Sequence, residues 1–189
     1  GFVIMTDAAH MPATTLRNTI CYEDLIAEGD PEFAWPDFDE NTACGMCYTS
    51  GTTGHPKGVL YSHRSNVLHG LVCALGDAMA ISSRDRIMPV VPMFHANAWS
   101  IAFSGPLSGA AMVMPGPKLD GASIYEMLTE GRVTITAAVP TVWLMLLQHL
   151  EKNPGLKLPD LDRVVIGGSA CPEAVMKAFV ETYGSDVVH

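Results

Sequence analysis

Thr49-Ser50-Gly51-Thr52-Thr53-Gly54 is an unbroken run of small hydroxyl and glycine residues directly after an apolar stretch, and Pro56-Lys57-Gly58 closes it. Glycines let a backbone turn sharply and approach a ligand closely. Successive N–H groups in such a turn converge on an anion. The hydroxyls of Thr49, Ser50, Thr52 and Thr53 add donors, and Lys57 adds a mobile positive charge. This combination suits the holding of a polyphosphate; the plainer alternative is a surface turn rich in Ser, Thr and Gly. A Walker-type loop is the natural competitor and fails at two positions. Counting from Gly51, Pro56 stands where glycine is required, and Gly58 stands where a Ser or Thr would hold magnesium.

Two further segments carry candidate chemistry. In Val91-Pro-Met-Phe-His-Ala-Asn-Ala-Trp99, His95 follows a strand and a proline turn, a place where binding groups collect in α/β sheets. Its imidazole can donate to a carboxylate, or it is a histidine of a surface loop. Trp99 is either core packing or a large ring at a pocket mouth. In Gly167-Gly-Ser-Ala170, the lack of side chains would let a flat ring lie on the backbone; a tight strand-to-helix turn is the bland equivalent. Cys44-Gly-Met-Cys47 has redox or zinc spacing, but a turn follows it and no second pair exists. Both cysteines are therefore read as small apolar strand residues, and Cys171 as a bystander.

The segment 48–58 resembles the signature loop of the adenylate-forming superfamily, which includes acyl-CoA synthetases, firefly luciferases and peptide-synthetase adenylation domains. The other two segments agree with that family in order and spacing, and Phe94-His95-x-Asn97-x-Trp99 is similar to its fatty-acyl members. The resemblance implies that Thr49, Ser50, Gly51, Thr52, Thr53, Gly54 and Lys57 handle the ATP phosphates. It implies that Gly168, Ser169 and Ala170 pack against adenine, and that Phe94, Asn97, Trp99 and Gly167 line the acyl pocket. His95 is then the catalytic candidate near the carboxylate. Trp99 would shut the fatty-acid tunnel until ATP binds. Magnesium would touch Thr49, with its main acidic ligand beyond the chain.

The implied reaction is that of a long-chain fatty-acid–CoA ligase. A fatty acid and ATP give acyl-adenylate and pyrophosphate; coenzyme A then takes the acyl group and AMP leaves. The cofactors and partners implied are ATP, Mg2+, coenzyme A and a fatty acid. The resemblance places residues 1–189 within the large N-terminal AMP-binding domain, with the small C-terminal domain, its lysine and the ribose-binding Asp outside. The chain alone is therefore expected not to turn over. Alternatives are a nucleotide- or acyl-binding module without turnover, or an adenylating enzyme for a non-fatty carboxylate.

Composition agrees with a folded protein of this kind. The chain has 189 residues, 48% hydrophobic and 16% charged, with a net charge of −9. That acidity argues against nucleic acid as a partner. Five cysteines in an odd, scattered set suit a reducing compartment. Neither a signal peptide nor an integral membrane segment is visible, because the apolar stretch at 133–150 is interrupted by Thr, Pro and Gln. A cytoplasmic location follows, with peripheral membrane attachment and a homodimer left open.

The elements that must position these residues alternate. Apolar runs at 45–48, 86–91, 111–114, 133–139 and 163–166 read as buried strands, with further short ones at 2–5 and 186–188. Helical periodicity marks 64–79, 98–107, 123–130, 141–152 and 172–183. Apolar strands separated by helices predict an α/β fold: a mostly parallel sheet flanked by helices on both faces, with right-handed crossovers. Pro172 suits a first helical position, and Ser62 a helix cap ahead of His63. The acidic, proline-containing segment 27–41 reads as a surface connection.

Overall fold

The computed structural model describes residues 1–49 and 54–189, which divide into two compact units, Gly1–Phe38 and Asp39–His189. In the first unit, β1 (Phe2–Ile4) pairs in parallel with β2 (Thr19–Cys21), and α1 (Tyr22–Ala27) follows directly. The Cys21 thiol caps α1 by accepting from the Asp24 N–H.

The second unit opens with a hairpin. β3 (Ala43–Thr49) runs antiparallel to β4 (Lys57–Ser62), and the pair forms a sheet of its own. The run at 45–48 was expected to be a buried strand of the parallel sheet, and this is a correction. Along β3 only Cys47 is buried, while Met46 and Tyr48 lie open. The run alternates, with one thin side turned inward, and alternation of that kind belongs to an antiparallel strand with a free face. At its far end the Ser62 hydroxyl accepts from the Ser65 N–H at 3.1 Å while the Ser65 hydroxyl accepts from the Ser62 N–H at 3.0 Å. This reciprocal cap launches α2 (His63–Cys73).

The remaining elements build the main sheet. They are β5 (Arg86–Pro89), α3 (Ile101–Ser108), β6 (Ala111–Met112), α4 (Gly121–Glu130), β7 (Ile135–Ala138), α5 (Pro140–Lys152), β8 (Arg163–Ile166), α6 (Glu173–Lys177) and β9 (Asp186–Val188). α6 widens into a π-helical stretch over Ala178–Tyr183, and Pro172 stands one place ahead of the helix, as its cap. The strands lie in the order β6-β5-β7-β8-β9, every pair parallel. The expected α/β architecture is what forms.

Both faces of this sheet are covered. Met88, Ala138, Val164 and Ile166 face a core built with Ile124, Leu128, Trp143, Leu146, Leu150, Val175 and Phe179, from α4, α5 and the α6 region. Their strand neighbours Ile87, Ile135, Ala137 and Val165 face Cys73, Ala98 and Ile101, on the side of α2 and α3. The chain leaves β5 to one side for β6, then returns past it to β7. Binding crevices form where an α/β sheet reverses direction in this way, at the carboxyl ends of the strands.

At the opposite edge a buried ion pair ties the sheet together. Arg163 pairs with Asp85, whose side chain is 4% exposed. Asp85 also accepts from the Thr134 hydroxyl at 2.9 Å and the Ser82 N–H at 2.8 Å. Arg163 donates to the carbonyls of Met79 and Ala80 as well. Among the described residues, no helix is long and apolar enough to cross a membrane.

Candidate active site

Three segments bring the sequence-predicted residues forward. The first is the hairpin. Thr49 and Lys57 are its last paired residues, and the Thr49 hydroxyl donates to the Lys57 carbonyl at 3.5 Å. Residues 50–56 connect the strands. Ser50, Gly51, Thr52 and Thr53 lie outside the described residues, while Thr49, Gly54 and Lys57 are all exposed. Among the described residues Lys57 makes no ion pair. The sequence signalled a strand before the loop but missed the strand after it.

The second segment leaves the carboxyl end of β5. The N–H groups of Val90 and Val91 both donate to the Ala137 carbonyl, at 3.0 and 3.1 Å, pinning the exit to β7. A turn closed by the His95 N–H on the Pro92 carbonyl follows, leaving Phe94 and His95 exposed. The chain then does something that the residue types do not announce. Residues 96–100 all have φ between +46° and +69°, a full left-handed turn without a glycine. A right-handed helix was expected from 98; α3 begins instead at Ile101. Each L-residue in this conformation costs roughly 1–2 kcal/mol. The turn is retained by burial of Ala98 and Ser100 and by the Ser100 N–H on the Ala96 carbonyl at 3.0 Å. Asn97 receives the Cys47 thiol at 3.6 Å, so this turn touches β3 of the hairpin.

The third segment leaves the carboxyl end of β8. Gly167 lies beneath the Trp99 ring: a Cβ there would stand 2.9 Å from the far edge of the indole. Gly168 has φ of +83°, and a Cβ on it would meet Val139 at 3.1 Å. The turn is thus glycine for two reasons, a ring lying on it and a left-handed backbone. Ser169 and Ala170 are exposed. Among the described residues Gly168, Ser169 and Ala170 form no hydrogen bond, which leaves their N–H groups open to a ligand. Burial pushes the Cys171 thiol above its ordinary range, which disfavours the thiolate a nucleophile needs.

The structure therefore joins Trp99 to Gly167 and Gly168, and Asn97 to the β3–β4 hairpin. Among the described residues the side chains of Phe94 and His95 make no hydrogen bond or ring contact. Magnesium is poorly served: Thr49 offers a neutral hydroxyl, and no three His, Cys, Asp or Glu side chains converge among the described residues. The described residues do not make a magnesium site by themselves. A separate apolar groove of about 470 Å³, which the sequence did not signal, runs between α2 and α3, lined by Asn66, Val67, Phe103, Pro106 and Leu107 with Cys44 at one end.

Known proteins resemble this chain over nearly its whole length. The sequence profile of the AMP-binding enzyme family matches residues 5–189. The chain is 50% identical over 189 residues to a medium-chain-fatty-acid–CoA ligase of Ectopseudomonas oleovorans, covering all of this chain and 34% of that protein. It is 53% identical over 168 residues to a 3-methylmercaptopropionyl-CoA ligase of Ruegeria lacuscaerulensis, covering 89% of this chain and 31% of that one. The chain thus spans about a third of the length of these relatives. Among solved structures, the N-terminal domain of FACL13 from Mycobacterium tuberculosis, crystallised with an inhibitor, superposes with a TM-score of 0.76 at 25% identity. That match covers 89% of this chain and 42% of the other.

Proposed function

Because this chain belongs to the AMP-binding enzyme family, we propose that it carries the phosphate loop, base platform and acyl entrance of an AMP-forming acid–CoA ligase acting on a linear, apolar carboxylic acid. A carboxylate oxygen attacks the α-phosphorus of ATP and pyrophosphate leaves. The sulfur of coenzyme A then attacks the acyl carbonyl, AMP leaves, and the thiol proton passes to solvent. Such a displacement is accelerated chiefly by positioning and by neutralising charge.

Residues of this chain divide that work. Lys57 and the loop before it hold the outer phosphates. The open N–H groups of Gly168, Ser169 and Ala170 face the nucleotide base, and His95 donates to the substrate carboxylate. Trp99 and Gly167 border the acyl chain, with Asn97 holding the turn beside them. Magnesium, when bound with ATP, would neutralise phosphate charge; Thr49 would offer it a neutral hydroxyl, and its acidic ligand would have to come from outside the described residues.

The observation that carries the reading is the Trp99 ring seated on Gly167 and Gly168, because it sets an apolar wall directly beside the proposed base platform. Both relatives act, by name, on aliphatic acids, one of medium length and one a short thioether, which supports an acid with an apolar tail. The test is calorimetry with AMP and with sulfamoyl mimics of butyryl-, octanoyl- and palmitoyl-adenylate. Octanoyl mimic binding at least about tenfold tighter than AMP is expected, the gain of a few buried methylenes. Mimics binding no tighter than AMP would leave a nucleotide module without an acyl pocket, and the proposal would fail.

A further inference from the structure

Among the described residues the backbone of the Gly167–Cys171 segment is hydrogen-bonded only at its two ends. At its start the Gly167 N–H donates to the Ala138 carbonyl at 3.4 Å, a long bond. At its exit the Cys171 N–H donates to Nε2 of His189 at 3.3 Å. Between them Gly168, Ser169 and Ala170 have no hydrogen bond among the described residues. His189 reaches this point through strand register. β9 pairs with β8 in parallel, Val188 opposite Val165, so His189 comes level with Ile166, the last residue of β8. The imidazole therefore stands at the carboxyl edge of the sheet, beside the turn rather than in it.

We propose that His189 is a positioning residue: through Nε2 it fixes the exit of the Gly167–Cys171 turn, and so holds the open N–H groups of 168–170 in one arrangement for a nucleotide base. The second half rests on the function proposed above; the first half does not. Accepting the Cys171 N–H needs the ring lone pair at Nε2, so the ring proton sits on Nδ1. An amide oxygen at the end of a glutamine side chain supplies an acceptor at a similar reach, whereas alanine supplies none.

The experiment compares the wild-type chain with His189→Gln and His189→Ala, using nitrogen-15 NMR and AMP calorimetry. A two-bond nitrogen–nitrogen coupling between the Cys171 amide and His189 Nε2 is expected in the wild type. His189→Ala should shift the amide signals of residues 168–171, and His189→Gln should largely restore them. AMP affinity should fall about fivefold in His189→Ala, the scale of one backbone hydrogen bond, and recover in His189→Gln. Absence of the coupling, or unmoved amides in His189→Ala, overturns the positioning role whatever the nucleotide does. Moved amides with unchanged AMP affinity overturn the link to the base. A wild type that shows the coupling and binds no AMP sinks that link together with the function reading and leaves the hydrogen-bond assignment standing.

Discussion

The β3–β4 hairpin and the Gly167 turn of this molecule are built on opposite plans. The hairpin β3–β4 is a two-stranded sheet of its own, mostly exposed, with Lys57 in no ion pair among the described residues. The Gly167 turn springs from an interior strand of a five-stranded sheet, whose cores lie on both faces. A two-stranded hairpin is marginal by itself, and such elements sit at the low-stability end of a fold. The difference teaches a division of labour: the region proposed to meet the outer phosphates rests on a two-stranded sheet of its own, and the region proposed to meet the base rests on the core.

The sharpest break of that comparison is at the sheet's own anchor. Asp85→Ala strands the Arg163 guanidinium without its buried partner, and should cost about 3–5 kcal/mol in denaturant unfolding. The exposed pair at the start of α2, Arg64 with Glu40 at 2.5 Å, is the control, and Glu40→Ala should cost under about 1 kcal/mol. Equal costs would mean that the two regions are not held differently after all.

Lys57→Ala should next separate binding from folding. Loss of one ammonium group from the triphosphate is expected to weaken ATP about tenfold or more, at the scale of a charged hydrogen bond. AMP affinity and unfolding midpoint should stay as they were. If AMP weakens equally, Lys57 faces something other than the outer phosphates.

Gly168→Ala should do the reverse. Its φ of +83° and the 3.1 Å approach to Val139 place both strain and crowding on the new methyl group. A stability loss of about 1–2 kcal/mol is expected, with AMP affinity falling alongside it. Loss of affinity with full stability would show that the turn is not anchored to the core in the way its packing indicates.

Much of this arrangement was legible in the residues. Strands buried on both faces read as continuous apolar runs, so β5, β7 and β8 announced themselves, as did the helices between them. The run of small hydroxyl residues suggested a phosphate loop, and most of it, Ser50 to Thr53, lies outside the described residues. The independence of the hairpin was not legible, because β3 is apolar enough to pass for a core strand and β4 carries no strong signal. Nor was the meeting of Trp99 with Gly167, or of Cys171 with His189. These contacts depend on which strands are neighbours, and neither local propensity nor spacing encodes that order.

The left-handed turn is the clearest case of tertiary structure overriding the local code, and it yields the smallest effect. Ala-Asn-Ala-Trp-Ser holds one residue, Asn97, that tolerates such a backbone readily, and no glycine. A glycine at Ala96 relieves the steric cost of its φ of +46°, while adding freedom to the unfolded chain. The first term is the larger, so Ala96→Gly should stabilise the protein by up to about 1 kcal/mol. Ala102→Gly, in the right-handed helix α3 a few residues later, carries the second term without the first. It should destabilise by about 1 kcal/mol. Opposite signs from the same substitution, read as shifts of the urea midpoint at constant slope, would establish that the backbone is held against its preference at 96 and with it at 102. Matching signs would remove the strain from this turn, and with it the physical reason for Trp99 to be placed by the surrounding core rather than by its own segment.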